Sequence, residues 1–234
     1  MVPKGGLYTC DDPARWRAVL NVYQEVVAAK GSKQKNLIAL DNWYQEELPK
    51  SIMGREIKHL TKQELIKLME WKLSRGKFRP RLQQLVATNA EEVVEQCTKK
   101  GFQLLPDVAA AISELSRLKG VGPATASAIL AAGAPDVVPF MADEAVASIS
   151  GLAPIQYTLK HYMHYLDQIQ SRVKKLNKAD PVKTWTPHHV EMCLWAWSVA
   201  EKLQLSLVQT SGMEKEEASC CAETDMPSKR RKTE

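Results

Sequence analysis

Apolar residues recur at three- and four-residue intervals through most of the chain, the period of helices that each bury one face. After Asp12-Pro13, an aspartate cap followed by a first-turn proline, Trp16, Val19, Leu20, Tyr23, Val26 and Val27 fall at helical spacing. Leu37, Leu40, Trp43 and Tyr44 mark a second helix, expected to end at Pro49. Thr61-Lys62-Gln63-Glu64 spells a capping box, with Leu60 and Leu65 placed as its hydrophobic staple, and predicts helix to about Leu73. Further starts are expected at Asn89 and Asp107, followed by a long amphipathic helix over 155–175. Thr186-Pro187 opens the last helix, through Trp195 and Trp197 to about Leu207. No segment alternates convincingly as a strand, so the expected architecture is an all-α bundle of roughly eight to ten helices.

The connection within residues 112–132 narrows the picture. An apolar helical run (Ile112, Leu115, Leu118) meets Gly120-Val121-Gly122, and a helix of small residues starts at Pro123. The two glycines allow positive φ and hence a tight turn, and Val121 can point inward to pin the helices. The N–H groups of Gly122, Ala124 and Thr125 are expected to face outward at the helix start, where with the dipole they favour an anion. Such a turn grips a nucleic-acid phosphate without reading sequence, with Lys119 beside it. It can equally be an ordinary interhelical turn.

Leu118-Lys119-Gly120-Val121-Gly122-Pro123-Ala124-Thr125-Ala126 resembles the helix-hairpin-helix of the endonuclease III and MutY-type DNA glycosylase superfamily. In that family a catalytic aspartate follows by about twenty residues, and Asp143-Glu144-Ala145-Val146, with Ile149 beyond, matches its pattern. The resemblance covers about residues 105–151. It implies a two-lobed helical fold with a substrate cleft, and Asp143 as the group that stabilises a sugar cation or activates water. Two departures matter. The lysine of strand-cleaving members is replaced by Ala124, and the four-cysteine iron–sulfur loop is absent, so no cofactor and no metal site is expected. The competing reading of Asp143 is a plain N-cap of a helix over 143–151.

A second stretch, from Trp71 to Leu82, interleaves Lys72, Arg75, Lys77, Arg79 and Arg81 with Trp71 and Phe78 around the helix breakers Gly76 and Pro80. Basic and aromatic side chains in one turn could meet a DNA backbone and stack on an unpaired base; otherwise this is a solvated turn over core aromatics. The six tryptophans read as core. The pairs His161/His164 and His188/His189 lack a third ligand and read as structural or surface.

Composition sets outer limits. With 234 residues and 44% hydrophobic content the chain can build a sizeable core. Its net charge is +5, and because the segment from Gln209 holds six acids and five bases, about +6 sits on the body. This mildly basic balance fits a nucleic-acid binder. Five cysteines without framework spacing fit a reducing compartment, and no run of transmembrane length predicts a membrane partner. The chain therefore divides into a helical domain over 1–208 and a polar, disordered tail over 209–234. After Pro227, the tetrad Lys229, Arg230, Arg231 and Lys232 reads as a nuclear import signal, implying an import receptor and a nuclear location.

Three functions remain open: a DNA-binding protein with this fold and no chemistry, a monofunctional DNA glycosylase using Asp143, and a helical scaffold in a nuclear complex.

Overall fold

Local capping chemistry explains where most helices start. In the computed structural model, which describes residues 6–32, 34 and 36–205, a 3₁₀ turn (Leu7–Thr9) precedes α1 (Pro13–Asn21). The Asp12 carboxylate accepts the Ala14 N–H at 2.9 Å, as its cap role requires. The predicted first helix is interrupted at Val22 (φ −92°, ψ 6°) and resumes as α2 (Tyr23–Gly31).

Pro49 does not end the second helix. α3 (Leu37–Asn42) passes through a π turn (Trp43–Glu47) into α4 (Leu48–Met53), and Pro49 lies in the first turn of α4.

The capping box is formed in full at the start of α5 (Lys62–Arg75). Thr61 Oγ1 accepts the Glu64 N–H at 3.2 Å, and Glu64 Oε2 accepts the Thr61 N–H at 2.9 Å. Next come α6 (Pro80–Ala87) and α7 (Glu91–Gln103), which starts two residues later than expected because Asn89 is used elsewhere. They are followed by α8 (Val108–Leu115), capped by Asp107, and α9 (Pro123–Gly133). The short α10 (Asp143–Ala147), the long α11 (Leu159–Ala179) and α12 (Pro187–Lys202) complete the order. After the Thr158 cap, α11 begins at Leu159, four residues beyond the expected start, and α12 ends before Leu207. Among the described residues there is no strand, and the all-α expectation holds.

The two ends of the chain meet in space. α1, α2, α10 and α11 all pack on α12, while α5 packs on both α3 and α9. Trp195 and Trp197 are two apart and so face different sides of α12, yet both are buried, because neighbours surround that helix. All six tryptophans are buried, as read from the sequence. α9 is buried from Ala124 to Gly133, and its small side chains let neighbours approach closely. A Cβ on Gly133 would lie 2.5 Å from Phe102.

A polar seam crosses this core. The Asp41 carboxylate, fully buried, accepts from Tyr23 Oη at 3.0 Å and Trp71 Nε1 at 2.9 Å. Beside it Arg75 makes a two-pronged ion pair with Glu191, at 2.7 and 3.2 Å. Burial alone would favour loss of the guanidinium charge, and the Glu191 carboxylate reverses that tendency.

Candidate active site

The turn between α8 and α9 separates two glycines that look alike in the sequence. Gly120 has φ +78°, and a Cβ there would lie 2.9 Å from Leu85 Cβ and 3.1 Å from the Val86 nitrogen. Its glycine is therefore demanded by the fold. Gly122 has φ −111° and nothing within 4 Å of a Cβ, so neither conformation nor packing requires glycine there. Positive φ at both positions, expected from the sequence, is thus confined to the first. Val121 is buried and pins the turn, as expected.

The outward N–H set is also smaller than expected. The Thr125 N–H is spent on the Gly122 carbonyl at 2.9 Å, and Thr125 is buried. The N–H groups of Gly122 and Ala124 have no backbone acceptor among the described residues. Asn89 clamps the turn from the side: its Oδ1 accepts the Lys119 N–H at 2.9 Å and its Nδ2 donates to the Lys119 carbonyl at 3.0 Å. That two-way bond is why Asn89 is buried instead of starting a helix. The Lys119 side chain is exposed.

Asp143 does not cap a helix. The N-cap of α10 is Ala142, no side-chain cap bond is made, and α10 is shorter than the expected span over 143–151. The segment that delivers Asp143 is held by side chains from two helices. Ser127 Oγ on α9 accepts the Met141 N–H at 2.9 Å and donates to the Ala124 carbonyl at 2.9 Å. On α11, the Tyr162 hydroxyl donates to the Pro139 carbonyl at 3.1 Å and the Tyr165 hydroxyl to the Phe140 carbonyl at 3.0 Å. All three side chains are buried, so the backbone entering Asp143 is fixed at successive residues.

The Asp143 side chain, about one-fifth exposed, lines a shallow, open cleft. Lys72, Lys77 and Arg79 share that lining, as do Ala124 from the start of α9 and the aromatic residues Phe140, Tyr157 and Trp195. The Tyr157 hydroxyl lies 2.8 Å from each Asp143 carboxylate oxygen and accepts from Arg79 Nη2 at 3.1 Å. Lys77 Nζ reaches Asp143 Oδ2 at 3.1 Å. Its bond to that carboxylate holds the Lys77 ammonium pKa up. Partial burial, and then the Asp143 carboxylate, raise the Tyr157 phenol. Arg79 also lies over the Tyr157 ring, 4.8 Å from its centre.

The basic stretch divides into two populations. Trp71 and Arg75 belong to the core: Trp71 stacks on Tyr44 at 3.4 Å between ring centres, and Arg75 is committed to Glu191. They are unavailable to a nucleic acid. Lys77, Arg79 and Arg81 are exposed, and Phe78 between them is 77% exposed, the most exposed large hydrophobic among the described residues. Two of the three basic residues therefore join Asp143 at the cleft, and Arg81 stands outside it.

Sequence reasoning named Lys72 only within the basic stretch and did not single out Tyr157 or Asn89 as site residues. Tyr157 lies in an aperiodic loop, fourteen positions after Asp143, where spacing carries no information about contact.

Among the described residues no group of three or more His, Cys, Asp or Glu side chains could hold a metal ion. Cys10, Cys97 and Cys193 are free thiols. His188 is buried, with Nε2 on Gln45 Oε1 at 2.8 Å, which fits its structural reading. No described helix is long and apolar enough to cross a membrane. Lys229, Arg230, Arg231 and Lys232, with the tail they belong to, lie outside the described residues. Comparison with models of protein families, with curated proteins and with solved structures finds nothing that matches this chain.

Proposed function

We propose that this protein binds DNA and acts as an N-glycosylase on a nucleotide drawn out of the duplex into the cleft at Asp143. The observation behind this reading is the Asp143 carboxylate, which is held by a pinned backbone, aimed into an open cleft and not consumed by capping. The cleft is edged by cations that suit phosphate and carries the part-exposed ring of Tyr157, which suits a base. Cleaving an N-glycosidic bond puts positive charge on the sugar, and a carboxylate at that point lowers the barrier. The turn at Gly120–Gly122, with the Lys119 side chain and the unpaired Gly122 and Ala124 N–H groups, would take a backbone phosphate. Phe78 would fill the gap left by the extruded base. Lys77 would leave Asp143 for phosphate as DNA enters, since its side chain is two-thirds exposed.

One observation favours binding without chemistry: in the free protein the carboxylate is occupied by Lys77 and Tyr157. The test is Asp143→Asn, assayed on duplexes carrying single damaged bases and on a duplex with a tetrahydrofuran abasic analogue. Base release by the wild type and its loss in the variant, with analogue binding kept within about threefold, is expected. Equal analogue binding with no base release by either protein would leave the non-catalytic DNA-binding reading. The abasic-analogue preference, read against intact duplex over a salt series, tests DNA binding itself.

A further inference from the structure

We propose that a second cavity, sharing no lining residue with the cleft at Asp143, is a binding site for a small organic cation, an ammonium or guanidinium group carried on an apolar or aromatic body. The inference stands whether or not the cleft at Asp143 acts on DNA.

The cavity holds about 420 Å³ between α1, α2, the π turn before α4, the end of α9 and the start of α12. That is the size of a small-molecule site. Leu20, Tyr23, Tyr44 and Met192 give it apolar and aromatic walls, and among the described residues no lysine or arginine lines it. Its polar groups favour a donor. The Ala131 carbonyl, in the last turn of α9, would look to Pro135, which has no N–H to give. Neither it nor the Ala132 carbonyl receives a hydrogen bond among the described residues, and the negative end of the α9 dipole lies there as well. Glu46 adds a carboxylate whose present partner, Lys50, belongs to an exposed pair that a ligand displaces at little cost.

A chain of hydrogen bonds behind the walls fixes one more acceptor. The Asp41 carboxylate can only accept, so the hydroxyl hydrogen of Tyr23 goes to it, at 3.0 Å. The Tyr23 oxygen then accepts the Gln45 side-chain N–H at 3.2 Å, and Gln45 Oε1 faces His188 Nε2 at 2.8 Å. That ring nitrogen must carry the hydrogen, which leaves His188 Nδ1 a bare lone pair. His188 is 9% exposed, its ring lines the cavity, and Nδ1 has no partner. Burial and the Arg75 charge keep the ring neutral, so it stays an acceptor. The other end of the chain lacks a counter-charge. Asp41 is fully buried, accepts from Tyr23 and the Trp71 indole, makes no ion pair among the described residues and leaves Oδ2 without a partner. Arg75 donates to Tyr23 at 3.3 Å but is paired with Glu191, so the seam holds two carboxylates against one guanidinium. Buried charges are ordinarily paired, and a cation seated against the Tyr23 ring would supply what Asp41 lacks.

The experiment titrates the full chain with 2-phenylethylamine, read by calorimetry and by heteronuclear NMR, beside 2-phenylethanol and phenylacetate as neutral and anionic forms of the same body. The amine is expected to bind at about 1 mM or tighter, at least about tenfold better than the alcohol, with phenylacetate weaker still. The shifted resonances should include Tyr23, Gln45 and His188. A peptide with one arginine, capped at both ends, separates the two sources of such a group. Binding of the peptide at the same residues assigns the cation to a partner's side chain, and binding of the amine alone assigns it to a free small molecule. Glu46→Gln, at an exposed position, should weaken the amine about threefold or more and leave the alcohol unchanged. Asp41→Asn should cut amine binding at least about tenfold without touching the alcohol; should that variant fail to fold, Glu46→Gln and the charge series carry the test. Equal binding of amine and alcohol, a preference for phenylacetate, or shifts confined to the surroundings of Asp143 overturns the proposal. So does the absence of binding by both the amine and the peptide.

Discussion

Replacing each glycine of the α8–α9 turn by alanine separates a position required by the fold from one left open by it. At Gly120 the alanine must hold φ near +78°, which costs a non-glycine residue roughly 1–2 kcal/mol. Its Cβ also meets Leu85 Cβ at 2.9 Å and the Val86 nitrogen at 3.1 Å. These are a side-chain carbon bonded directly to the backbone and a backbone atom, so relief requires α6 to shift, at about 1–3 kcal/mol. The sum, roughly 2–5 kcal/mol, lowers the melting temperature of a chain this size by about 4–20 °C. At Gly122 φ is −111° and the Cβ enters empty space, so alanine changes stability by less than about 1 kcal/mol, on the favourable side through the unfolded chain. Urea titration of both variants, with circular dichroism as readout, supplies the comparison. If the two alanines destabilise equally, or Gly120→Ala is silent, the geometric account of the turn is wrong. Gly122→Ala has a second use: a normally folded variant that binds DNA several-fold more weakly would place a ligand against that glycine.

Glu191→Gln leaves the Arg75 guanidinium buried with a neutral partner and should cost about 3–5 kcal/mol in urea unfolding, whereas replacing both residues by leucine and methionine should recover most of it. Phe78→Ala removes an exposed ring and should change stability by less than about 0.5 kcal/mol, while weakening binding to an abasic-analogue duplex about fivefold or more. His188 supplies a pH signature, because burial and the Arg75 charge bring its pKa down to about 3. The unfolded state then binds a proton that the folded state refuses below about pH 6.5, so stability is full above that pH and falls as pH drops toward 3. Between pH 7 and 4 the loss from this residue is about 3 kcal/mol, and His188→Gln should flatten that part of a stability–pH curve.

Helix placement was legible because it depends on neighbours in sequence. Asp12, Thr61, Asp107 and Thr186 each cap the helix they were read to cap, through a bond to a backbone N–H two or three residues on. Misreadings arose where a distant partner outbid the local role. Asn89 spends its amide on Lys119, thirty residues away, and Arg75 spends its charge on Glu191, which no helical period could anticipate. The π turn before Pro49 is a different case, a local departure of the backbone that carries the helix on past the proline. For the cleft, the sequence pattern named Ala124, Lys77, Arg79 and Asp143, which the fold brings to one lining. Its walls come from α5, from the start of α9 and from the loop before α11, and only the folded chain brings Lys72 and Tyr157 to Asp143.

Ser127 gives the molecule an internal caliper. One hydroxyl joins the Ala124 carbonyl, at the foot of the glycine turn, to the Met141 N–H, two residues before Asp143. Under the proposed function, a strand seated on the turn and a sugar presented to the carboxylate would be measured against one spacing set by α9. Substrates whose phosphate-to-sugar separation differs from that spacing would be rejected by misfit alone, without any contact that reads the base.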